Sequence, residues 1–436
     1  MSGGSAWTGA ALAAVTGGYA LFSRRLASTP VSAPMVFTGL GVLIGPVGLD
    51  VLDLGHDAGP VLTLIEAALA LLLFTDAMTV RRSDLHTGGF LPLRLLAIGL
   101  PLSIGVGWLL AWPLLPGLTL WEFALIGVIL APTDAALGKA ACSSPRLPAL
   151  VRHGLNVESG LNDGLALPFF LLFLAAIPGT AASEEGVGGV FWRALVLSTA
   201  VGLAFGWLGR RLLTIARARG WVTDEWRQVF VLAVAFCAYA VATALDGSGF
   251  IATWMGGFAF GVALRREEPF AEEPTGERPA ELAEYLGGLL GTLSFLVFGA
   301  VLLGPTLEHL DWRIVTYGVL SLTVVRMVPV ALALAGTGMR LPTVAYVGWF
   351  GPRGLASIVF GLLVVEEHVP GVELLGRVVA VTIGLSVLLH GISAPFLADR
   401  YGAWYEAARA AVPDLREGLG APEPALHQQS GPRRLR

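Results

Sequence analysis

Between positions 158 and 164 the chain reads Glu158-Ser159-Gly160-Leu161-Asn162-Asp163-Gly164, two acids, an amide and a hydroxyl set in a largely apolar run. On an α-helix Glu158 and Asn162 stand four residues apart on one face, and Ser159 and Asp163 share the adjacent face. The two stripes carry different chemistry. Ser159 and Asp163 supply hard oxygen donors, which suit a small hard cation such as Na⁺ far better than sulfur or imidazole would. Gly160 and Gly164 are expected to leave room for another backbone, and the candidate is Ile126-Gly127-Val128-Ile129-Leu130-Ala131-Pro132-Thr133-Asp134. Thr133, Asp134 and carbonyls freed near Pro132 would then complete an oxygen shell. A buried carboxylate without a partner takes up a proton instead of keeping its charge. Glu158 therefore needs a cation, and Arg326, in the middle of Leu322-Thr323-Val324-Val325-Arg326-Met327-Val328-Pro329, needs an anion. The two are expected to pair, with Arg353 the second choice.

The elements that hold these residues belong to a membrane. Of 436 residues 55% are hydrophobic and only 14% charged, whereas a soluble domain carries roughly 25% charged residues. Apolar runs long enough to cross a hydrocarbon core about 30 Å thick recur along the chain. They are placed near 6–22, 31–49, 60–78, 92–115, 120–139, 151–176, 190–209, 228–245, 248–264, 284–304, 314–337, 341–365 and 372–396. The fold class is all-α and polytopic, with about thirteen transmembrane helices. Inside those runs the charged residues are few: Glu66, Asp134, Glu158, Asp163, Arg326 and Arg353. Each is a functional candidate, because a charge at the bilayer centre costs at least a few kcal/mol.

The net charge of −4 and the lack of a basic tract argue against nucleic acid as a partner. Cys142 and Cys237 fit neither a disulfide framework nor a metal-ligand set. The first apolar run has no Lys or Arg before it and Arg24 and Arg25 after it, the wrong polarity for a cleaved leader. Arginine and lysine concentrate in alternate loops: Arg24 and Arg25; Arg81, Arg82 and Arg94; Lys139, Arg146 and Arg152; Arg210 to Arg227; Arg265, Arg266 and Arg278; Arg340; and the tail from Arg400. The positive-inside rule makes these loops cytoplasmic, which puts the N-terminus outside and the C-terminus inside the cell membrane. Residues 1–400 are expected to form one transmembrane domain and 401–436 a short cytoplasmic tail.

Two apolar segments are interrupted. The first is the stretch ending Pro132-Thr133-Asp134, and the second is Gly348-Trp349-Phe350-Gly351-Pro352-Arg353-Gly354. Proline removes a helix donor and glycine loosens the backbone, so both helices should unwind near mid-membrane. Unwound backbone at that depth is tolerated only where protein buries it or a wet cavity receives it. A matched pair of broken helices in opposite halves points to a transporter site built from inverted repeats. The isolated histidines read more plainly, His390 as an interfacial residue at the inner end of the last span and His153 as a weak sensing candidate. Gly202 with Gly206 and Gly257 with Gly261 read as helix-packing pairs.

The 158–164 motif, the Thr133-Asp134 break, the Gly351-Pro352-Arg353-Gly354 break and an intramembrane Arg326 together resemble the NhaP and Na⁺/H⁺ exchanger branch of the cation:proton antiporters, in the order that branch has them. The resemblance runs to about Tyr401. It implies a thirteen-helix NhaA/NhaP-like fold with a dimerisation part, a mobile core and two broken helices that cross, and hence a homodimer. It implies that Asp163 carries cation and proton by turns, that Thr133, Ser159 and Asp134 line the site, and that Asn162 marks electroneutral exchange. Glu66 matches a helix from which some relatives contribute an acid. One departure stands out: many relatives have proline directly after the first-break aspartate, where this chain has Ala135. No cofactor is implied beyond the transported Na⁺, Li⁺ or K⁺ and H⁺. Two rivals share some of these features. A Na⁺-coupled symporter of an organic anion would use Arg353, and an intramembrane aspartyl protease would use Asp134 with Asp163 but lacks the Gly-x-Gly-Asp motif.

Overall fold

The computed structural model describes residues 3–26, 29–51, 58–79, 90–134, 137, 144–267, 280–412 and 415–418. Every regular element among them is helical. In chain order they are α1 (Gly3–Leu26), α2 (Ala33–Ile44), α3 (Ala58–Thr79), α4 (Phe90–Leu114), α5 (Leu120–Ile129), α6 (Ala149–Ala175) and α7 (Gly186–Ala218). The second half holds α8 (Asp224–Ala244), α9 (Gly249–Glu267), α10 (Glu281–Leu307), α11 (Trp312–Ala333), α12 (Leu341–Trp349), α13 (Leu355–Glu366) and α14 (Val372–Ala411). Eight of these are long and apolar enough to cross a bilayer by length and composition: α3, α4, α6, α7, α8, α10, α11 and α14. Helix falls within all thirteen intervals read from hydropathy. The shorter helices α5 and α12 stop at the two interruptions, and α13 starts after the second.

Local sequence sets the helix ends. Ser32 accepts the Met35 amide at 3.4 Å and Pro34 fills the first turn of α2, where a missing N–H does no harm. Glu122 in the first turn of α5 accepts the Thr119 amide at 2.6 Å, the backward half of a capping box. Its other oxygen accepts the Gly371 amide at 2.6 Å and so pins the start of α14 to the start of α5.

Two packed sets of helices result. In one, α9 lies against α7, α3 and α8, and α10 against α3 and α2. Glycine brings these backbones close: Gly202 and Gly206 of α7 lie on the carbonyls of Ala252 and Gly256, and Gly257 and Gly261 of α9 on the backbone of Phe74 and Met78. In the other set α4 and α6 flank the broken α5, while α11 lies against α12 and α14 lies against both α12 and α13.

The differences from the sequence reading have local causes. In the run 120–139 α5 ends at Ile129, and 341–365 is two helices separated at 350–354, because Pro132 and the Gly351-Pro352 pair interrupt the hydrogen-bond ladder. Within 314–337 the backbone also breaks at Thr323, at φ −107° and ψ −83°. The last helix does not stop at 396 but continues to Ala411, so His390 is 1% exposed inside a long helix and not at its end. Arg81, Arg82, Lys139, Cys142, Arg278 and the stretch from 419 onward lie outside the described residues.

Candidate functional site

The motif on α6 sits where the two broken segments meet. Past the end of α5, Thr133 reaches α6: its carbonyl accepts the Ser159 hydroxyl at 2.6 Å and its hydroxyl accepts the Asn162 amide at 2.6 Å. Thr133, Ser159 and Asn162 are all buried. Two acceptors in this group, Asn162 Oδ1 and Asp163 Oδ1, are buried without a hydrogen-bond partner among the described residues. Pro168, one turn on, has no N–H for the Gly164 carbonyl, so α6 loosens beside Asp163. Oxygen lone pairs therefore converge with few protons to meet them, which is the chemistry of a hard-cation site.

The crossing itself is a reciprocal cap. The Asp134 amide donates to the Pro352 carbonyl at 2.7 Å. Asp134 Oδ2 accepts the Leu355 amide at 2.9 Å, at the positive N-terminal end of α13, and Oδ1 accepts the Leu137 amide at 3.2 Å. In return Arg353 Nη1 donates to the carbonyls of Ala131 and Pro132 at 2.6 and 3.1 Å, just past the negative end of α5. Ser357 adds a bond to the Ile129 carbonyl at 2.6 Å. Each charge thus faces the helix end of opposite polarity, and the backbone groups that the breaks set free find partners at once. Gly354 is required by this contact, since a Cβ there would collide with the Asp134 carboxylate.

Glu158 lies on the neighbouring face of α6 and receives a forked ion pair from Arg326 of α11, at 2.5 Å to Oε1 and 2.9 Å to Oε2. The side chains are 3% and 5% exposed. The Arg353 side chain bonds the carbonyls of Ala131 and Pro132 instead.

The third predicted span contributes differently from its reading. Glu66 accepts the Tyr239 hydroxyl at 3.3 Å and has Glu366 as its electrostatic neighbour, so it is not brought to Asp163. Ten residues along α3, about 15 Å at the helical rise, Asp76 takes that place. A Cβ on Gly160 would lie 3.1 Å from the Asp76 Cβ, and Asp76 and Asp134 are the charges that act on Asp163. Sequence reasoning passes over Asp76; the signal available was an acid inside Phe74-Thr75-Asp76-Ala77-Met78, still within the apolar run. The two α6 glycines also differ from expectation. They admit side chains and not a backbone, Asp76 at Gly160 and the Trp254 indole of α9 at Gly164. Both arrive because α9 is clamped onto α3.

No group of three or more His, Cys, Asp or Glu gathers as a metal set among the described residues. The donors on hand are one carboxylate, a side-chain amide oxygen, two hydroxyls and loosened carbonyls, with a second carboxylate, Asp76, at the edge.

The chain is similar in sequence and in fold to known proteins. The chain is 26% identical over 374 residues to the K(+)/H(+) antiporter NhaP of Alkalimonas amylolytica, covering 84% of this chain and 62% of that one. It is 23% identical over 357 residues to the Na(+)/H(+) antiporter 2 of Zygosaccharomyces rouxii, covering 75% and 42%. The chain thus spans less than two thirds of the length of these relatives. In fold it is similar to the sodium proton antiporter MjNhaP1 of Methanocaldococcus jannaschii, with a TM-score of 0.72 at 21% identity, over 92% of this chain and 98% of that structure. The family model described as sodium/hydrogen exchanger, transmembrane, matches residues 11–400. On that match, nine tenths of its length, the chain belongs to the transmembrane sodium/hydrogen exchanger family.

Proposed function

We propose that the chain exchanges a monovalent cation for a proton across the cell membrane, with Asp163 as the carboxylate that the two share. The observation that carries this reading is the pair of buried acceptors without donors, Asp163 Oδ1 and Asn162 Oδ1, beside Thr133 and Ser159 at the crossing. Such a carboxylate holds a proton or a cation but is costly bare. The two substrates therefore compete for one charge, and competition couples them. Only the loaded forms carry a hidden charge past the hydrophobic barrier, and this enforces exchange between two conformations that bind the same site from opposite sides.

Ser159 and Thr133 serve as neutral ligands, and Asp76 replaces Glu66 as the acid of the third helix. Asp134 holds the crossing together through its two backbone amides and acts on the cation at longer range. Asn162 cannot ionise, so one proton for one cation is the stoichiometry, and exchange is electroneutral. Na⁺ is the first candidate; the relatives named for K⁺ make K⁺ the second and Li⁺ the third. The protein acts as a homodimer with its N-terminus outside and its C-terminus in the cytoplasm. The organic-anion symporter would need a guanidinium open to its substrate, whereas that of Arg353 is fully buried against the carbonyls of α5.

The test is a pH dye in everted vesicles carrying the full chain. Addition of NaCl, KCl or LiCl should release the trapped proton gradient, and Asp163→Asn should abolish the signal with the protein still inserted and monodisperse. Undiminished exchange in that variant would end the assignment.

A further inference from the structure

His390 of α14 lies outside the cation site, yet it is 1% exposed and its polar contacts tie it to the second break, directly and through Ser386. The Arg353 amide donates to Ser386 Oγ at 2.7 Å. Ser386 Oγ lies 3.1 Å from His390 Nδ1, and His390 Nε2 lies 3.0 Å from the carbonyl of Trp349, the last residue of α12. The Ser386 carbonyl is also 3.1 Å from Nδ1, within the helix that carries both residues.

The Trp349 carbonyl requires a hydrogen on Nε2. An amide can only donate and a carbonyl can only accept. Ser386 Oγ therefore accepts from Arg353 and has its own proton left for Nδ1, while Nε2 must carry hydrogen toward Trp349. With Nε2–H donating to Trp349 and the Ser386 hydroxyl donating to Nδ1, the bonds run unbroken from Arg353 to Trp349, and the Ser386 carbonyl lies beside Nδ1. The Nδ1–H tautomer would set a lone pair against the Trp349 carbonyl oxygen at 3.0 Å.

We propose that His390, with a hydrogen on Nε2, is a positioning residue of the cation site, acting through the second break. Its ring joins both ends of the 349–353 segment: the carbonyl of Trp349, which also accepts the Gly351 amide at 2.9 Å, and, through Ser386, the amide of Arg353. The Arg353 side chain then holds the carbonyls of Ala131 and Pro132, and the next residue is Thr133, which bonds Ser159 and Asn162. A continuous path of bonds thus runs from His390 to the ligands of Asp163's cation. The inference rests on reading Thr133 and Asp163 as that site.

The measurement is the half-saturating cation concentration and the maximal exchange rate per folded transporter, in vesicles carrying the full chain and titrated with NaCl and KCl. His390→Leu removes acceptor and donor and should raise the half-saturating concentration roughly tenfold, about 1.4 kcal/mol, with a smaller change in maximal rate. His390→Gln offers a carbonyl to Ser386 and an N–H to Trp349 and should stay within about threefold of the parent, since a restored hydrogen-bond pair recovers most of its net worth. Ser386→Ala cuts only the link to Arg353 and should raise the concentration by a few fold. A monodisperse His390→Leu protein with unchanged half-saturation would overturn the proposal, as would His390→Gln behaving like His390→Leu. Should His390→Leu fail to fold, Ser386→Ala decides, and parental half-saturation there overturns it. Retained exchange by Asp163→Asn, in contrast, would sink the site reading beneath the proposal and leave the His390 variants unneeded.

Discussion

The ion pair between Arg326 and Glu158 is the most quantitative test of the architecture. Its nitrogens approach the two carboxylate oxygens at 2.5 and 2.9 Å, and both side chains are at least 95% buried. Glu158→Gln leaves a guanidinium with no counter-charge, and Arg326→Met leaves a carboxylate in the same condition. Breaking such a pair from one side costs about 3–5 kcal/mol. Replacing both partners with apolar residues of similar volume is often close to neutral, because the desolvation of two ions disappears along with their attraction. The double variant Glu158→Leu with Arg326→Met should therefore recover most of the loss, giving a coupling of several kcal/mol where independent sites would add. Arg353 does not rescue Arg326→Met, since its guanidinium already serves Ala131 and Pro132. Thermal unfolding in detergent, followed by fluorescence-detected size exclusion, reads the stabilities, and dye-loaded vesicles from the same preparations read exchange. Parental melting of Glu158→Gln, or a double variant less stable than either single one, would refute the reasoning. A stable but inactive double variant would give the pair a part in transport beyond holding the fold.

Three further outcomes follow from the site. Asp76→Asn should raise the half-saturating cation concentration about tenfold, the equivalent of one charge-assisted contact, while Glu66→Gln should leave it unchanged; equal effects would return Glu66 to the site. Gly164→Ala should impair exchange far more than Gly160→Ala, because the new methyl would overlap the rigid Trp254 indole in one case and lie 3.1 Å from the Asp76 Cβ in the other; a tolerated Gly164→Ala would refute that packing. Glu122→Ala removes the acceptor of two amides and should cost about 1–3 kcal/mol of thermal stability, with cation half-saturation in the surviving protein unchanged.

Much of this was legible in the residues. The helical intervals emerge from hydropathy because a bilayer admits few alternatives to apolar helices of fixed length. The breaks emerge from Pro132 and Gly351-Pro352, and the pairing of Glu158 with Arg326 follows from the cost of leaving either charge alone. Other features had no local signal. Glu66 and Asp76 are both acids of one apolar run, and only the docking of Gly160 against α3 tells which one faces Asp163. The glycines of α6 announce close approach without saying what approaches. His390 looks interfacial when the last span is drawn to end at 396, because the helix goes on through residues too polar to count as apolar.

The division between the two kinds of knowledge has one physical origin. Composition, helical period and the expense of a buried charge are local quantities, so the sequence alone established a polytopic helical protein with two broken helices and singled out position 163 as the candidate acid. Which groups meet depends on the depth and rotation of each helix against its neighbours. That is a property of the whole packed bundle, and it alone decided that Asp134 caps α13, that Arg353 closes α5, that Asp76 stands beside Gly160 and that His390 is tied to the second break.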